Sequence, residues 1–170
     1  MPHLKQYHHL DVGLSCKKLT RVLLLAGSVG LGIALTGCSA PVPLLKQTQS
    51  GQAEGVFSGR TPDAVKSMLI DKCLSAGYSL QEASTNQVIC AQTLQDGEQV
   101  FATFMLGNAY STPAQRKIRF TVFQVAQGTK VAAQSWVETQ MAMGQVNRAE
   151  LNSPAQVNSL QSLLFSLGGK

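Results

Sequence analysis

Histidine is almost absent from this sequence of 170 residues. Its three copies are His3, His8 and His9, all close to the N-terminus. A Ser-His-Asp or Cys-His catalytic arrangement has no histidine available in the rest of the chain, and neither does a histidine metal site. The sequence therefore argues against the commonest hydrolytic and metal-dependent chemistries.

Close pairs of acids and of cysteines are also scarce. Only Asp96 and Glu98 among the carboxylates lie near each other, and with Gly97 between them they predict a hairpin turn. There is no Cys-x-x-Cys pair of the kind that supports redox chemistry. We therefore expect a protein that is not an enzyme and has no cofactor and no metal. A hydrolase using Asp96 and Glu98 is the remaining enzymatic alternative.

Long hydrophobic runs are lacking too. The longest, VLLLAGSVGLGIAL at residues 22–35, follows the basic residues Lys17, Lys18 and Arg21. As a helix it would rise only about 21 Å, short of the ~30 Å hydrocarbon core of a bilayer. A basic stretch followed by a short apolar run is typical of a secretory signal peptide.

The run ends in Leu35, Thr36, Gly37 and Cys38, which resemble the lipobox of bacterial lipoproteins. The resemblance implies that Leu35, Thr36 and Gly37 are read by the signal peptidase and that Cys38 becomes the lipidated first residue. Ser39 then implies sorting to the outer membrane, facing the periplasm, with the periplasmic face of the inner membrane as the alternative. An ordinary signal peptide followed by a chance cysteine is the competing interpretation.

A leader of residues 1–37 is long, and residues 1–15 have no signal character. Either the start site lies further downstream or the basic region is extended. Cleavage removes the three histidines, four of the 14 basic residues and one of the nine acids, which leaves a net charge of +2. Nucleic-acid binding thus loses its electrostatic support. The charged residues that cleavage removes are Lys5, Lys17, Lys18, Arg21 and Asp11.

Beyond the leader, residues 38–59 are rich in Pro, Gly, Gln and Ser and predict a flexible tether with a reach of about 65 Å. Val56 and Phe57 are the part of it expected to dock on the domain of residues 60–170. Two further cysteines, Cys73 and Cys90, leave two alternatives open. They form a disulfide, worth about 3 kcal/mol for a loop of this length, or they are buried thiols.

Two helices are well signalled in the domain. Thr61 and Pro62 open the first and Gly77 ends it, while Ser153 and Pro154 open the second. Strands are predicted at residues 78–83, 87–93, 99–106, 117–125 and 130–141. The predicted fold is α+β, a five-stranded antiparallel meander with both helices packed on one face.

This element order resembles helix-grip and ferredoxin-like sandwiches. It is similar in outline to the small domains of the C-subunit lipoprotein of the outer-membrane barrel-assembly machine. Some lipoproteins of conjugation and secretion systems carry small α+β domains as well. The resemblance covers roughly residues 60–168, rests on element order and implies a fold rather than a function.

The loop at residues 107–117 combines an aromatic residue with basic ones. Tyr110, Arg116, Lys117 and Arg119 have the composition of an interface hot spot. The alternative is a solvated hairpin loop whose tyrosine folds back on the sheet. A second candidate contact surface is MAMGQVNR at residues 141–148, with its adaptable methionines.

These features favour a lipid-anchored, periplasm-facing domain that binds a protein partner. It would serve as an accessory or scaffold in an envelope complex of the secretion, conjugation, assembly or surface-protection type. The alternative is a membrane-anchored module that binds lipid or a small apolar ligand between sheet and helix.

Overall fold

A computed structural model describes residues 42–108 and 110–170. Within them, six strands and three helices follow one another along the chain. In order they are β1 (Ala53–Ser58), α1 (Pro62–Ser75), β2 (Ser79–Ala83), β3 (Gln87–Thr93), α2 (Asp96–Leu106), β4 (Gln115–Val125), β5 (Gly128–Gln140), β6 (Val146–Glu150) and α3 (Pro154–Ser166).

Local sequence explains where α1 and α3 begin. The hydroxyl of Thr61 accepts a hydrogen bond from the amide of Ala64 at 3.3 Å, and Ser153 accepts one from Gln156 at 3.5 Å. A proline follows each capping residue, at a position where a helix does not need the amide hydrogen. Both predicted helices are therefore confirmed.

The strands form one antiparallel sheet in the order β1-β5-β4-β3-β2, and β6 also pairs with β5. Strand β5 is long enough to take two partners on one edge: residues 128–133 pair with β1, and residues 136–140 pair with β6. Strand β4 runs along the other edge. The predicted α+β class with an antiparallel sheet is confirmed.

The main core lies between the sheet and the helices α1 and α3. Alternate residues of the strands, among them Phe57, Phe120 and Val131, point towards Leu69 of α1 and Leu164 of α3, and all five are almost fully buried. These two helices therefore cover the same face, as predicted.

Helix α2 packs at the other end of that face, on a second and smaller core. Its Ala102 is buried with Leu94, Ala114 and Val137. Val137 shares its side of β5 with Val131, because the two are separated by an even number of residues. All three helices described thus lie on one face of the sheet.

The strand predicted at residues 99–106 is wrong, since these residues belong to α2. An apolar run of this length is compatible with either structure. Here the residues that turn towards the sheet, Ala102 and Leu106, are four apart, which is the spacing of a helix. The turn predicted at Asp96 and Gly97 is the first turn of that helix.

The predicted flexible tether of residues 38–59 is corrected in two places: residues 43–46 are hydrogen-bonded to the rest of the domain, and residues 53–58 form β1. Ala53, Gly55 and Phe57 alternate towards the helices, and Phe57 lies opposite Thr129 of β5. The pairing brings β1 so close to the turn at Gly128 that a side-chain carbon there would lie 2.2 Å from the carbonyl oxygen of Phe57. Residues 146–150, for which no strand was predicted, form β6.

The predicted signal peptide and the residues Leu35, Thr36, Gly37, Cys38 and Ser39 lie outside the described residues. Between residues 42 and 170, with Ala109 left aside, no helix has both the length and the hydropathy needed to cross a bilayer.

Candidate docking surface on helix α2

Helix α2 is fixed to the sheet by a few polar contacts around its small core. Glu98 accepts a hydrogen bond from the Arg116 guanidinium at 3.1 Å, and the Gln99 side chain accepts one from the amide of Ala114 at 3.0 Å. At the other end, the side-chain amide of Asn147 donates to the carbonyl of Leu106 at 2.7 Å. The helix therefore has a defined inner side and a defined outer side.

The outer side of α2 is strongly apolar. Phe104 is 83% exposed and Phe101 is 67% exposed, and Val100 and Met105 are also mostly exposed. Val100 and Phe104 are four residues apart, as are Phe101 and Met105, so the four side chains form one continuous stripe along the helix. We call these four residues the α2 stripe. A contiguous exposed apolar patch of this kind marks an interaction surface.

A groove runs beneath the stripe, between α2 and the sheet. Its volume is about 310 Å³, and its walls are almost entirely apolar. Phe101 and Met105 line it from the helix, while Val137, Ala149 and Leu151 line it from below. The groove gives an entering apolar side chain a place beside the stripe.

The loop after α2 extends the exposed apolar surface towards the end of the sheet. Tyr110 is 81% exposed, and its amide donates to the side chain of Asn108 at 2.9 Å. The following residue, Ser111, donates to the sulfur of Met141 at 3.1 Å, which ties the loop to the turn after β5. Met143 in that turn is also exposed. The tyrosine therefore does not fold back on the sheet.

The predicted hot-spot cluster is separated by the sheet. Arg116 points to the helix side, where it pairs with Glu98. Lys117 and Arg119 point to the opposite side, because neighbouring residues of a strand alternate between faces. Tyr110 thus does not share one surface with all three basic residues.

The face of the sheet opposite the helices carries its own polar group around Trp136. The indole nitrogen donates to Glu138 at 2.6 Å, and the same carboxylate pairs with Lys117 at 2.6 Å. Burial raises the pKa of Glu138, but hydrogen bonds from Lys117 and Trp136 and the charges of Lys117 and Arg148 outweigh it and lower that pKa. With its donors satisfied within the group, this face is a less favourable docking site than α2.

Of the two alternatives for the cysteine pair, the structure has the disulfide. Cys73 of α1 is joined to Cys90 of β3, and both residues are buried in the main core. The bond links α1 to β3 within the main core, which is separate from the smaller core beneath α2. Its place in the core assigns it to stability.

Sequence reasoning missed the α2 stripe, although a signal for it was present. The segment EQVFATFML at residues 98–106 contains more large apolar residues than one side of a short helix can bury. In a strand, neighbouring residues alternate between faces, which would place Val100 and Phe104 on one side and Phe101 and Met105 on the other. Only in a helix do the four side chains form one stripe.

Comparisons of this chain with known protein families, with curated proteins and with solved structures find no match.

Proposed function

We propose that this protein is a lipid-anchored, periplasm-facing accessory domain that binds a protein partner through the α2 stripe. The partner belongs to an envelope complex of the secretion, conjugation, assembly or surface-protection type. The lipid is carried by Cys38, and Ser39 directs the protein to the outer membrane, with the periplasmic face of the inner membrane as the alternative.

The observation that carries the proposal is the exposure of Phe101 and Phe104 on a helix that is already formed and is hydrogen-bonded to the rest of the domain through Glu98, Gln99 and Leu106. Contact of an exposed phenylalanine ring with water is unfavourable. The free energy of the system falls when a partner covers the ring. Because the helix is already fixed, binding need not order it, which lowers the entropic cost of association.

The charge and polarity of the α2 surface indicate what kind of partner segment would bind it. The four side chains of the α2 stripe are uncharged, and the acids Asp96 and Glu98 sit only at the first turn of the helix. An amphipathic helix or loop with an apolar face would cover the stripe and insert one side chain into the groove. A basic residue on its rim would meet Asp96.

The test places a photo-activatable amino acid at Phe104 in the full-length, membrane-extracted protein, and at Phe123 as the matched control. Phe123 is also an exposed phenylalanine, 40% exposed, but it lies on the other face of the sheet. We expect one cross-linked protein to be recovered from position 104 and not from position 123. Its recovery should be lost in Phe101→Ser. Cross-links to lipid alone at position 104 would contradict a protein partner.

The groove supports a second candidate, a module that binds lipid or a small apolar ligand. Its 310 Å³ volume and apolar walls suit an acyl chain or a compact apolar molecule. Ala149→Leu should fill the groove from the side of β6 and leave Phe104 and Val100, which do not line it, exposed as before. Loss of binding of a fluorescent fatty acid in Ala149→Leu, with retained cross-linking at position 104, would favour this candidate for the groove.

The anchor is tested separately by labelling cells with a radioactive fatty acid. The label should be incorporated into the native chain and absent from Cys38→Ala. Incorporation into Cys38→Ala would refute the assignment of the lipid to this residue.

A further inference from the structure

The start of the described chain is bound to α3 by a reciprocal pair of hydrogen bonds. The amide of Leu45 donates to the side-chain oxygen of Asn158 at 2.7 Å. The side-chain nitrogen of Asn158 donates to the carbonyl of Pro43 at 2.8 Å. One asparagine therefore holds the backbone of residues 43–45 from both sides.

The next residues are held as well. Leu44 packs against the main core. The amine of Lys46 donates to the carbonyl of Glu54 at 3.0 Å and to that of Lys170 at 2.8 Å, which joins this segment to β1 and to the residues after α3. From Pro43 onwards the chain is part of the folded domain.

This docking leaves very little chain between the lipidation site and the domain. Cys38 and Val42 are four residues apart, so their Cα atoms are separated by at most about 14 Å. A free tether up to residue 59 would reach about 65 Å. A lipid on Cys38 would thus hold the domain at the surface of the bilayer.

We infer that the domain rests on the bilayer that carries its lipid, with the flank of Val42, Leu45 and Phe165 against the lipid surface. The inference rests on the lipid anchor of the proposed function. It goes beyond that function because it fixes which side of the domain faces the membrane and how far the domain can move from it.

The chemistry of this flank fits contact with lipid. Val42 and Leu45 are each more than half exposed, and Phe165 is partly exposed two helical turns beyond Asn158, on the same side of α3. The sequence of α3, PAQVNSLQSLLFS, contains no charged residue. Removing a charge from water would oppose contact with the bilayer. Because α3 has no charged residue, contact of this flank with the bilayer does not carry that cost for α3.

A consequence follows for the partner of α2. A domain without a long tether cannot search the space between the membranes. The protein that covers the α2 stripe must therefore reach to within about one domain diameter of the same bilayer, roughly 30 Å.

The test uses the full-length lipidated protein in vesicles of phosphatidylethanolamine and phosphatidylglycerol with brominated acyl chains, which quench tryptophan on contact. In a Trp136→Phe background, Leu45→Trp reports on the proposed flank and Phe123→Trp reports on the opposite face of the sheet. We expect quenching several-fold stronger for Leu45→Trp than for Phe123→Trp.

A spacer variant tests the role of the short connection. Ten Gly and Ser residues inserted after Ala40 add an average reach of about 17 Å. Quenching of Leu45→Trp should then fall several-fold, towards that of Phe123→Trp. Asn158→Leu, which releases residues 43–45, should lower it in the same direction.

The experiment distinguishes failure of the lipid anchor from failure of the proposed contact between the flank and the bilayer. Protein that does not float with the vesicles refutes the anchor itself. Protein that floats, but shows equal quenching at the two positions or no response to the spacer, overturns the inference and leaves the anchor standing.

Discussion

The guanidinium group of Arg148 lies 4.0 Å from the centre of the Trp136 ring. Arg119 approaches the same ring at 5.6 Å. Trp136 points away from the helices, yet it is only 4% exposed. Side chains of β4 and β6 therefore bury a tryptophan on the surface of the sheet, where stacked guanidinium groups are attracted to the ring.

Removing one of these groups should uncover the tryptophan. We expect Arg148→Ala to lose about 0.5–1 kcal/mol of stability and to make the fluorescence of Trp136 more accessible to acrylamide. Trp136 is the only tryptophan in the chain, so the signal is unambiguous. Arg116→Ala, on the other face of the sheet, is the matched control and should leave acrylamide quenching unchanged. Equal quenching in Arg148→Ala and the native protein would contradict the stacking.

The carboxylates of Glu54 and Glu138 should make the free energy of unfolding depend on pH in the acidic range. Burial raises the pKa of Glu54, but hydrogen bonds from Lys130 and Ser50 and the charges of Lys130 and Lys46 bring it below its ordinary value of 4.5. The pKa of Glu138 is lowered in the same way by its basic neighbours. Because the unfolded chain binds protons more readily, the stabilisation is fully present above about pH 4.5 and is lost as pH falls through the lowered pKa.

Urea unfolding between pH 7 and pH 3 measures this loss. We expect the free energy of unfolding to fall more steeply below pH 4.5 in the native protein than in Glu138→Gln, which has no carboxylate to protonate at that position. Asp71→Asn, at an exposed position of α1, is the control and should keep the native slope. An unchanged slope in Glu138→Gln would show that this carboxylate does not contribute.

The bond between Cys73 and Cys90 should contribute strongly to stability. The two residues are 17 apart in the sequence, and a loop of this length corresponds to about 3 kcal/mol. We expect a reductant to lower the urea midpoint of the native protein by a corresponding amount. The double variant Cys73→Ala, Cys90→Ala should be destabilised and insensitive to the reductant. A native midpoint that does not respond to complete reduction would contradict the assignment.

Gly128 should not tolerate a side chain. Its φ is +144°, and an added carbon would lie 2.2 Å from the carbonyl oxygen of Phe57. Gly51 also has positive φ, +69°, but has open space around it. Alanine at Gly51 carries the cost of a left-handed helical φ, about 1–2 kcal/mol, and the φ of Gly128 lies outside that region, at values where glycine is almost the sole residue found. Only Gly128→Ala adds the clash, so its melting temperature should fall well below that of Gly51→Ala. Equal melting temperatures would mean that β1 can move away from the turn.

The sequence predicted best where structure is decided locally. Thr61 and Ser153 mark helix starts because their hydroxyl groups satisfy amides only a few residues away. Strand β1 depends instead on β5, at least 70 positions later, and four of its six residues, in the sequence AEGVFS, have little strand preference of their own. Such a strand is identified by its partner, which the local sequence does not reveal.

In the candidate site, too, features decided by nearby residues could be predicted, and features decided by packing could not. Tyr110, predicted to lie at a contact surface, is exposed, but Arg116 and Lys117 are its neighbours only in sequence. Both residues lie on β4, and neighbouring residues of a strand point to opposite faces. The strand predicted at residues 117–125 included Lys117 but not Arg116, so it did not separate the two. The α2 stripe required knowing that Ala102 faces the sheet, which follows only from packing against Val137.

The two sides of α2 should respond oppositely to polar substitution. Phe104→Ser removes an exposed ring and should change the free energy of unfolding by less than about 0.5 kcal/mol. Ala102→Asp places a carboxylate in the small core and should destabilise by at least about 2 kcal/mol. If residues 99–106 were a strand in the core, Phe104→Ser would be strongly destabilising as well. Urea unfolding of both variants decides between the two structures. A native-like stability in Phe104→Ser would also make it a folded, stripe-deficient protein in which loss of partner binding can be attributed to the surface alone.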